Sequence, residues 1–99
     1  MIRPWFGVSG LTVNKEVAAY YNLPVNSGVL VAEVMRDSPA EKAGIIPGDV
    51  IQSFSGFTIR GVENLQKAIH NEKAGVKIKI VIIRDNHKWT VETTLDKMP

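Results

Sequence analysis

Asp37 to Ile51 reads D-S-P-A-E-K-A-G-I-I-P-G-D-V-I, and these residues dictate a short helix followed at once by a tight turn. Ser38 is placed to be an N-cap, with Pro39 at the first helical position. Glu41, three residues after Ser38, completes a capping box. Gly44 can take the left-handed conformation that stops a helix. Ile45 and Ile46 return the chain to the core, and Pro47-Gly48-Asp49 turns it into a strand beginning at Val50. A helix this short is not stable alone. The stretch therefore makes sense as a corner clamped between strands.

Working outward, Trp5 to Val13 reads as one strand weakened by Gly7 and Gly10, and glycine inside a strand marks close approach of another backbone. Asn14 caps a helix carrying Glu16 to Tyr21, which Pro24 ends. Val29 to Met35 is a strand apolar enough to be buried on both faces for part of its length. Beyond the corner, Val50 to Phe54 and Phe57 to Ile59 form a strand pair across Ser55-Gly56. A second helix runs over Val62 to Lys73, with Val62, Leu65, Ala68 and Ile69 on one face. Val76 to Ile83 and Lys88 to Leu95 make a hairpin about Asp85-Asn86-His87, in which Val81 and Ile83 need a partner layer. Asp96 to Pro99 is expected to be a frayed polar tail. Strands dominate and two main helices remain to cover them. The expected class is α+β, a small curled sheet closing into a capped barrel.

Ninety-nine residues make one domain with a modest core. A formal charge of +2, with the basic residues scattered, gives no footprint for nucleic acid. The chain has no cysteine, which excludes disulfides and thiolate metal sites. No apolar run approaches the roughly 18 residues of a membrane span, so direct membrane insertion is not expected. Gly7-Val8-Ser9-Gly10 looks like the surroundings of a trypsin-type nucleophile, but neither His nor Asp precedes Ser9. His70 and His87 lack metal-ligand spacing and are expected at the surface. Lys77, Lys79 and Lys88 read as a solvated strand face that discourages edge pairing. No catalytic residue and no cofactor is expected.

The residues from Asp37 to Ile51 resemble the S-P-A-x-x-A-G-(I/L)-x-x-G-D-x-I signature of PDZ domains, in the form attached to bacterial and archaeal serine proteases of the HtrA (Deg) family. W-F-G-V at 5–8, G-V-L-V-A-E-V at 28–34 and G-V-E-N-L-Q-K-A-I at 61–69 extend the resemblance, in order, over most of the chain. It implies a single PDZ domain over residues 1–99, a piece of a longer protease without its protease domain. It also implies the bacterial circular permutation, in which the ligand-binding strand comes first and the last strand, about Trp89 to Leu95, takes the place of the first strand of animal PDZ domains. The helix between Asn14 and Ser27 suits the HtrA type.

The resemblance assigns Trp5, Phe6, Gly7 and Val8 to a loop whose N–H groups capture a peptide's terminal carboxylate, with Arg3 as a neighbouring charge. The physics is that of an anion nest. The peptide would add as a strand along Ser9, Gly10, Leu11 and Thr12. Leu65, Ala68 and Ile69 would wall an apolar pocket, although Leu65 and Ile69 can equally face the core. Asn64 stands where one animal class has a His that reads Ser or Thr, so an apolar peptide end is expected instead. A valine at position 7 is expected to crowd the nest at modest cost to the fold. The implied partners are C-terminal or unfolded peptide segments and the protease domain of a homo-oligomeric parent, in the periplasm or another extracytoplasmic space. A PDZ domain of another protease or of a secretion component, a non-binding oligomerisation or adaptor module, and a small hydrolase using Ser9 are the alternative readings.

Overall fold

The β-branched runs of the sequence become strands that pair only antiparallel, and the helices fill the gaps between them. The computed structural model describes residues 3–98. In chain order it contains β1 (Pro4–Trp5), β2 (Val8–Thr12), α1 (Lys15–Tyr21), β3 (Val29–Val34), α2 (Pro39–Lys42) and β4 (Val50–Phe54). These are followed by β5 (Phe57–Thr58), α3 (Val62–His70), β6 (Lys77–Arg84), β7 (His87–Thr94) and β8 (Asp96–Lys97). The main sheet runs β2-β3-β4-β6-β7, with β5 paired to β4, while β1 and β8 form a separate two-stranded ribbon. The α+β class and the curled sheet with β2 at its edge are as the sequence implied.

The corner is built as its residues require, with one displacement. Ser38 Oγ accepts from the Glu41 N–H at 3.2 Å, but the Glu41 carboxylate accepts from the N–H of Asp37, at 3.0 Å, rather than from that of Ser38. The Ser38 N–H turns back to the Met35 carbonyl. Gly44 and Gly48 have φ of +88° and +99°, the left-handed region that favours glycine. Asp49 closes the turn twice, its N–H donating to the Ile46 carbonyl and its Oδ2 accepting from the Ile46 N–H at 3.0 Å.

Two apolar clusters hold the sheet. The larger lies on its inner face, under α2 and α3, and includes Phe54, Ile51, Ile80 and Ile82. The smaller joins Leu30, Val50 and Ile83 to Val13 and to Ala18 of α1. The partner layer that Ile83 needed is therefore α1. β3 is buried on both faces at Val29, Leu30 and Val31. Asn14 Oδ1 caps α1 from the Val17 N–H at 2.8 Å, and Asn22, in left-handed conformation, ends it before Pro24 is reached.

Three expectations are corrected by long-range pairing. Trp5 to Val13 is not one strand; it breaks at Phe6-Gly7, because β1 pairs with β8 whereas β2 pairs with β3. Asp96 to Met98 is not frayed. Pro4 lies opposite Lys97, Trp5 lies opposite Asp96, and the Met98 N–H donates to the Arg3 carbonyl at 2.9 Å; Pro99 lies outside the described residues. The second helix ends at His70 rather than Lys73. Gly75 and Val76 are drawn into pairing with Leu95, through Gly75 N–H to Leu95 O at 2.7 Å and Leu95 N–H to Val76 O at 3.1 Å.

Asp49 is almost fully buried, and its charge is matched by Arg84 at the end of β6. Arg84 Nε and Nη2 meet the two carboxylate oxygens at 2.8 and 2.7 Å, and Nη2 also donates to the Gly44 carbonyl. The hydrogen bond to Asp49 holds the Arg84 pKa above its ordinary value. Removing the guanidinium strands a buried carboxylate, which is costly. With the Arg84 side chain about a third exposed, Arg84→Met is expected to lower stability by about 2 kcal/mol. A melt should show a Tm lower by about 10 °C; an unchanged Tm would contradict the role given to the pair.

Gly7 has φ of +95°, and a Cβ there would lie 2.2 Å from Ser38 Cβ. A side chain at position 7 therefore collides with the corner, which corrects the expectation of a modest fold cost. Gly7→Val is expected to cost about 3 kcal/mol or more, from backbone strain and overpacking together. Chemical denaturation measures this directly.

Candidate functional site

β2 is the edge of the main sheet, paired on one side only. Its register with β3 is regular apart from a shift between Ser9 and Gly10 that skips Ala32 of β3. The Met35 N–H donates to Gly7 O, and the Val13 N–H donates to Gly28 O, so odd-numbered residues of β2 turn their backbone toward β3. Alternation then turns the N–H and C=O groups of Val8, Gly10 and Thr12 outward. Of the residues assigned to strand pairing, Gly10 and Thr12 face the open edge, while Ser9 and Leu11 bond to β3. Gly10 is also where the backbone of β3 comes close, since a Cβ on it would lie 2.3 Å from Leu30 O.

The loop before β2 is fixed through its carbonyls. Phe6 O accepts from the Ala40 N–H of α2 at 3.0 Å, and Gly7 O accepts from Met35 at 2.8 Å. The N–H groups of Phe6 and Gly7 have no such partner among the described residues, and alternation along β2 turns that of Val8 outward. Three successive free donors at the mouth of a half-buried recess can receive an anion.

That recess is a cavity of about 530 Å³, lined by Trp5, Phe6, Gly7 and Val8 and by Ile69 of α3 among others. Phe6 is its buried floor, anchored edge-on against Phe54 with ring centroids 5.4 Å apart. Of the three α3 residues named from sequence, Ile69 lines the cavity, whereas Leu65 and Ala68 are buried in the main core. The face that looks into the cavity is Gln66, Ile69 and His70, one residue round the helix from Leu65 and Ala68. The 3-4 spacing of that face was visible in the sequence, but its polar members hid it. Met35 and Met98 complete the wall and carried no sequence signal. Met98 arrives only through the pairing of β8 with β1.

Arg3 is not in this cavity. It lines a neighbouring recess of about 560 Å³ with Lys73 and Lys97, and the two hollows share Pro4 and His70. Asn64 accepts from the Arg60 N–H at 3.1 Å, an interaction local to the start of α3. Ser9 is exposed on β2 opposite Glu33. A larger hollow, about 690 Å³, lies between α2 and the ends of β6 and β7; lysines and carboxylates line it together, including the exposed Lys77–Glu92 pair. Size therefore does not select the site; the free donors and the open strand edge do. Among the described residues no helix is long and apolar enough to cross a membrane.

Comparison with known proteins places the chain in a family. Residues 7–95 match the family model of the PDZ domain. A probable periplasmic serine endoprotease, DegP-like, from Pseudomonas putida is 39% identical over 97 residues, covering 98% of this chain and 20% of the relative. The periplasmic pH-dependent serine endoprotease DegQ of Escherichia coli is 33% identical over 94 residues, covering 95% of this chain and 21% of the relative. The chain thus spans about a fifth of the length of the curated relatives it matches. Among solved structures, the HtrA-type protease AlgW with decapeptide superimposes with a TM-score of 0.90 at 31% identity, over 99% of this chain and 30% of that one. The HtrA3 PDZ domain bound to a phage-derived ligand (FGRWV) shares the fold, with a TM-score of 0.84 at 22% identity, over 99% of this chain and 89% of that one. The chain belongs to the PDZ domain family, and its relatives in sequence and structure are the PDZ domains of HtrA-type serine proteases.

Proposed function

We propose that this chain binds the C-terminal or exposed hydrophobic segments of other proteins, and that it feeds or regulates the protease domain of an HtrA-type parent. The observation that carries this reading is the set of three unpaired N–H groups, Phe6 to Val8, set beside an open strand edge and an apolar cavity. The terminal carboxylate accepts from the loop donors, which replace its lost hydration. The last side chain enters the cavity against Phe6, Val8 and Ile69. The ligand backbone extends the sheet, so affinity is largely blind to sequence and the pocket supplies the selectivity. Binding needs no cofactor, and Ser9 plays no nucleophilic part. Hydrolysis belongs to the remainder of a longer, homo-oligomeric protease, and the names of the relatives support a periplasmic setting.

A titration monitored by amide NMR tests the reading. Two peptides ending in Val are compared, one with a free acid and one amidated. The acid is expected to shift the amides of Phe6, Gly7 and Val8 selectively. Equal shifts with both peptides would replace carboxylate capture by recognition of internal segments, and no shift with either would leave a non-binding adaptor.

The α3 residues separate pocket from core. Ile69→Asp is expected to weaken binding of an apolar-ended acid by about tenfold or more, since a buried charge opposes the incoming side chain. Leu65→Ala is expected to cost about 3 kcal/mol of stability while leaving the affinity of the folded fraction unchanged. Calorimetric titration beside denaturant unfolding reads both, and the reverse pattern would invert the assignment.

A further inference from the structure

The main sheet has a second open edge. β7 pairs with β6 alone, at the opposite end of the strand order from β2, and it runs without a register shift, a proline or a glycine. A long edge of this kind invites pairing with another strand. The two-residue turn Asp85-Asn86, with φ of +52° and +63°, sets the bonding phase. His87, opposite Arg84, turns its backbone groups to β6, and Leu95 beyond the other end bonds to Gly75 and Val76 on the same side. Alternation then turns the N–H and C=O groups of Lys88, Thr90, Glu92 and Thr94 outward. Among the described residues no backbone bond from another element reaches these four.

The side chains of β7 fall on two faces. Trp89, Val91 and Thr93 lie opposite Ile82, Ile80 and Ile78, on the core side. α2 covers that side at Thr93, whose Oγ1 donates to Pro39 O. Toward the hairpin the cover runs out: Thr93 is buried, Val91 is half-buried and Trp89 is 54% exposed. Lys88, Thr90 and Glu92 are exposed on the other face. Of the three lysines read as discouraging edge pairing, Lys77 and Lys79 lie on β6, one strand inside the edge, and only Lys88 is on β7.

We propose that two copies of this chain associate through β7, antiparallel and centred on Thr90. That register sets Thr90 against the second copy's Thr90, Lys88 against its Glu92, and Trp89 against its Val91. Each match favours a strand pair: two threonines, opposite charges, and an aromatic ring beside a β-branched side chain. The bonding phase agrees. Outward-facing residues meet outward-facing residues, so each Thr90 exchanges both backbone bonds with its counterpart. Trp89 and Val91 fall at a non-bonded position, where side chains approach most closely. A shift of two residues keeps the phase but loses both charge matches. Lys88 thus guards the edge against strands without an acid at the matching position and admits this one. The α2-covered end of one copy comes beside the bare end of the other, and Trp89 gains the neighbour it lacks. Both β2 edges stay open at the far ends of the joined sheet, so this inference does not rest on the peptide-binding reading.

Sedimentation equilibrium of the chain between about 20 μM and 1 mM tests this, a range suited to a small, transient interface. The mass is expected to rise with concentration from monomer toward dimer. Over the same range the amides of Lys88, Thr90 and Glu92 should shift while those of Phe6, Gly7 and Val8 hold still. Lys88→Glu and Glu92→Lys each set like charges together, and each should weaken the dimer by about fivefold or more. Mixed in equal amounts, the two variants regain both opposite-charge matches and should form a heterodimer about as tight as the native dimer. Thr90→Pro, which removes an outward donor from an edge strand, should abolish association and serves if a charge variant does not fold. A mass that stays monomeric to about 1 mM overturns the proposal. So does a dimer that these variants leave unchanged, or a mixture no tighter than its components.

Discussion

One buried carboxylate organises this domain. Asp49 closes the turn that ends the corner, and Arg84 reaches it from the end of β6. The same guanidinium also takes the Gly44 carbonyl at the end of α2. A single ion pair therefore ties a helix stop, a turn and the central sheet into one unit. A helix as short as α2 has no stability of its own, so this pairing and the burial of Ala40 and Ile45 hold it in place.

The loop before β2 depends on that unit rather than on its own sequence. The Ala40 N–H holds the Phe6 carbonyl, and Ser38 packs so closely on Gly7 that no side chain fits between them. Thr93 Oγ1 donates to Pro39 O at 2.8 Å and fixes the other flank of the corner to β7. With their carbonyls engaged, Phe6 and Gly7 are oriented without spending their N–H groups. The donors are thus free and preorganised, the arrangement in which binding an anion requires little further ordering.

The cavity is a composite of distant segments. Trp5 and Met98 come from opposite ends of the chain and meet because β1 and β8 pair. α3 contributes its last turn to the cavity and its first turn to Thr12, while Leu65 and Ala68 anchor it in the core. The core and the cavity wall use adjacent faces of one helix, which is why substitutions one residue apart are expected to have different consequences.

Much of this was legible in the sequence by itself. The caps at Asn14 and Ser38, the glycines at 44 and 48, the hairpin expected about Asp85-Asn86-His87 (His87 itself begins β7) and the alternation in β6 all act within a few residues, so local physical chemistry determined them. The resemblance over residues 5–8 likewise pointed to Val8–Thr12, the strand at the edge of the main sheet. Only the tertiary structure decided the partner of Asp49, the neighbour that forces Gly7, the ordering of Asp96 to Met98, and which face of α3 meets the groove. Each of these depends on a residue brought close by chain closure, Arg84 to Asp49 across 35 positions and Thr12 to Val62 across 50. Propensity and periodicity describe the chain next to itself. The contacts that finish the site form only once the sheet has curled.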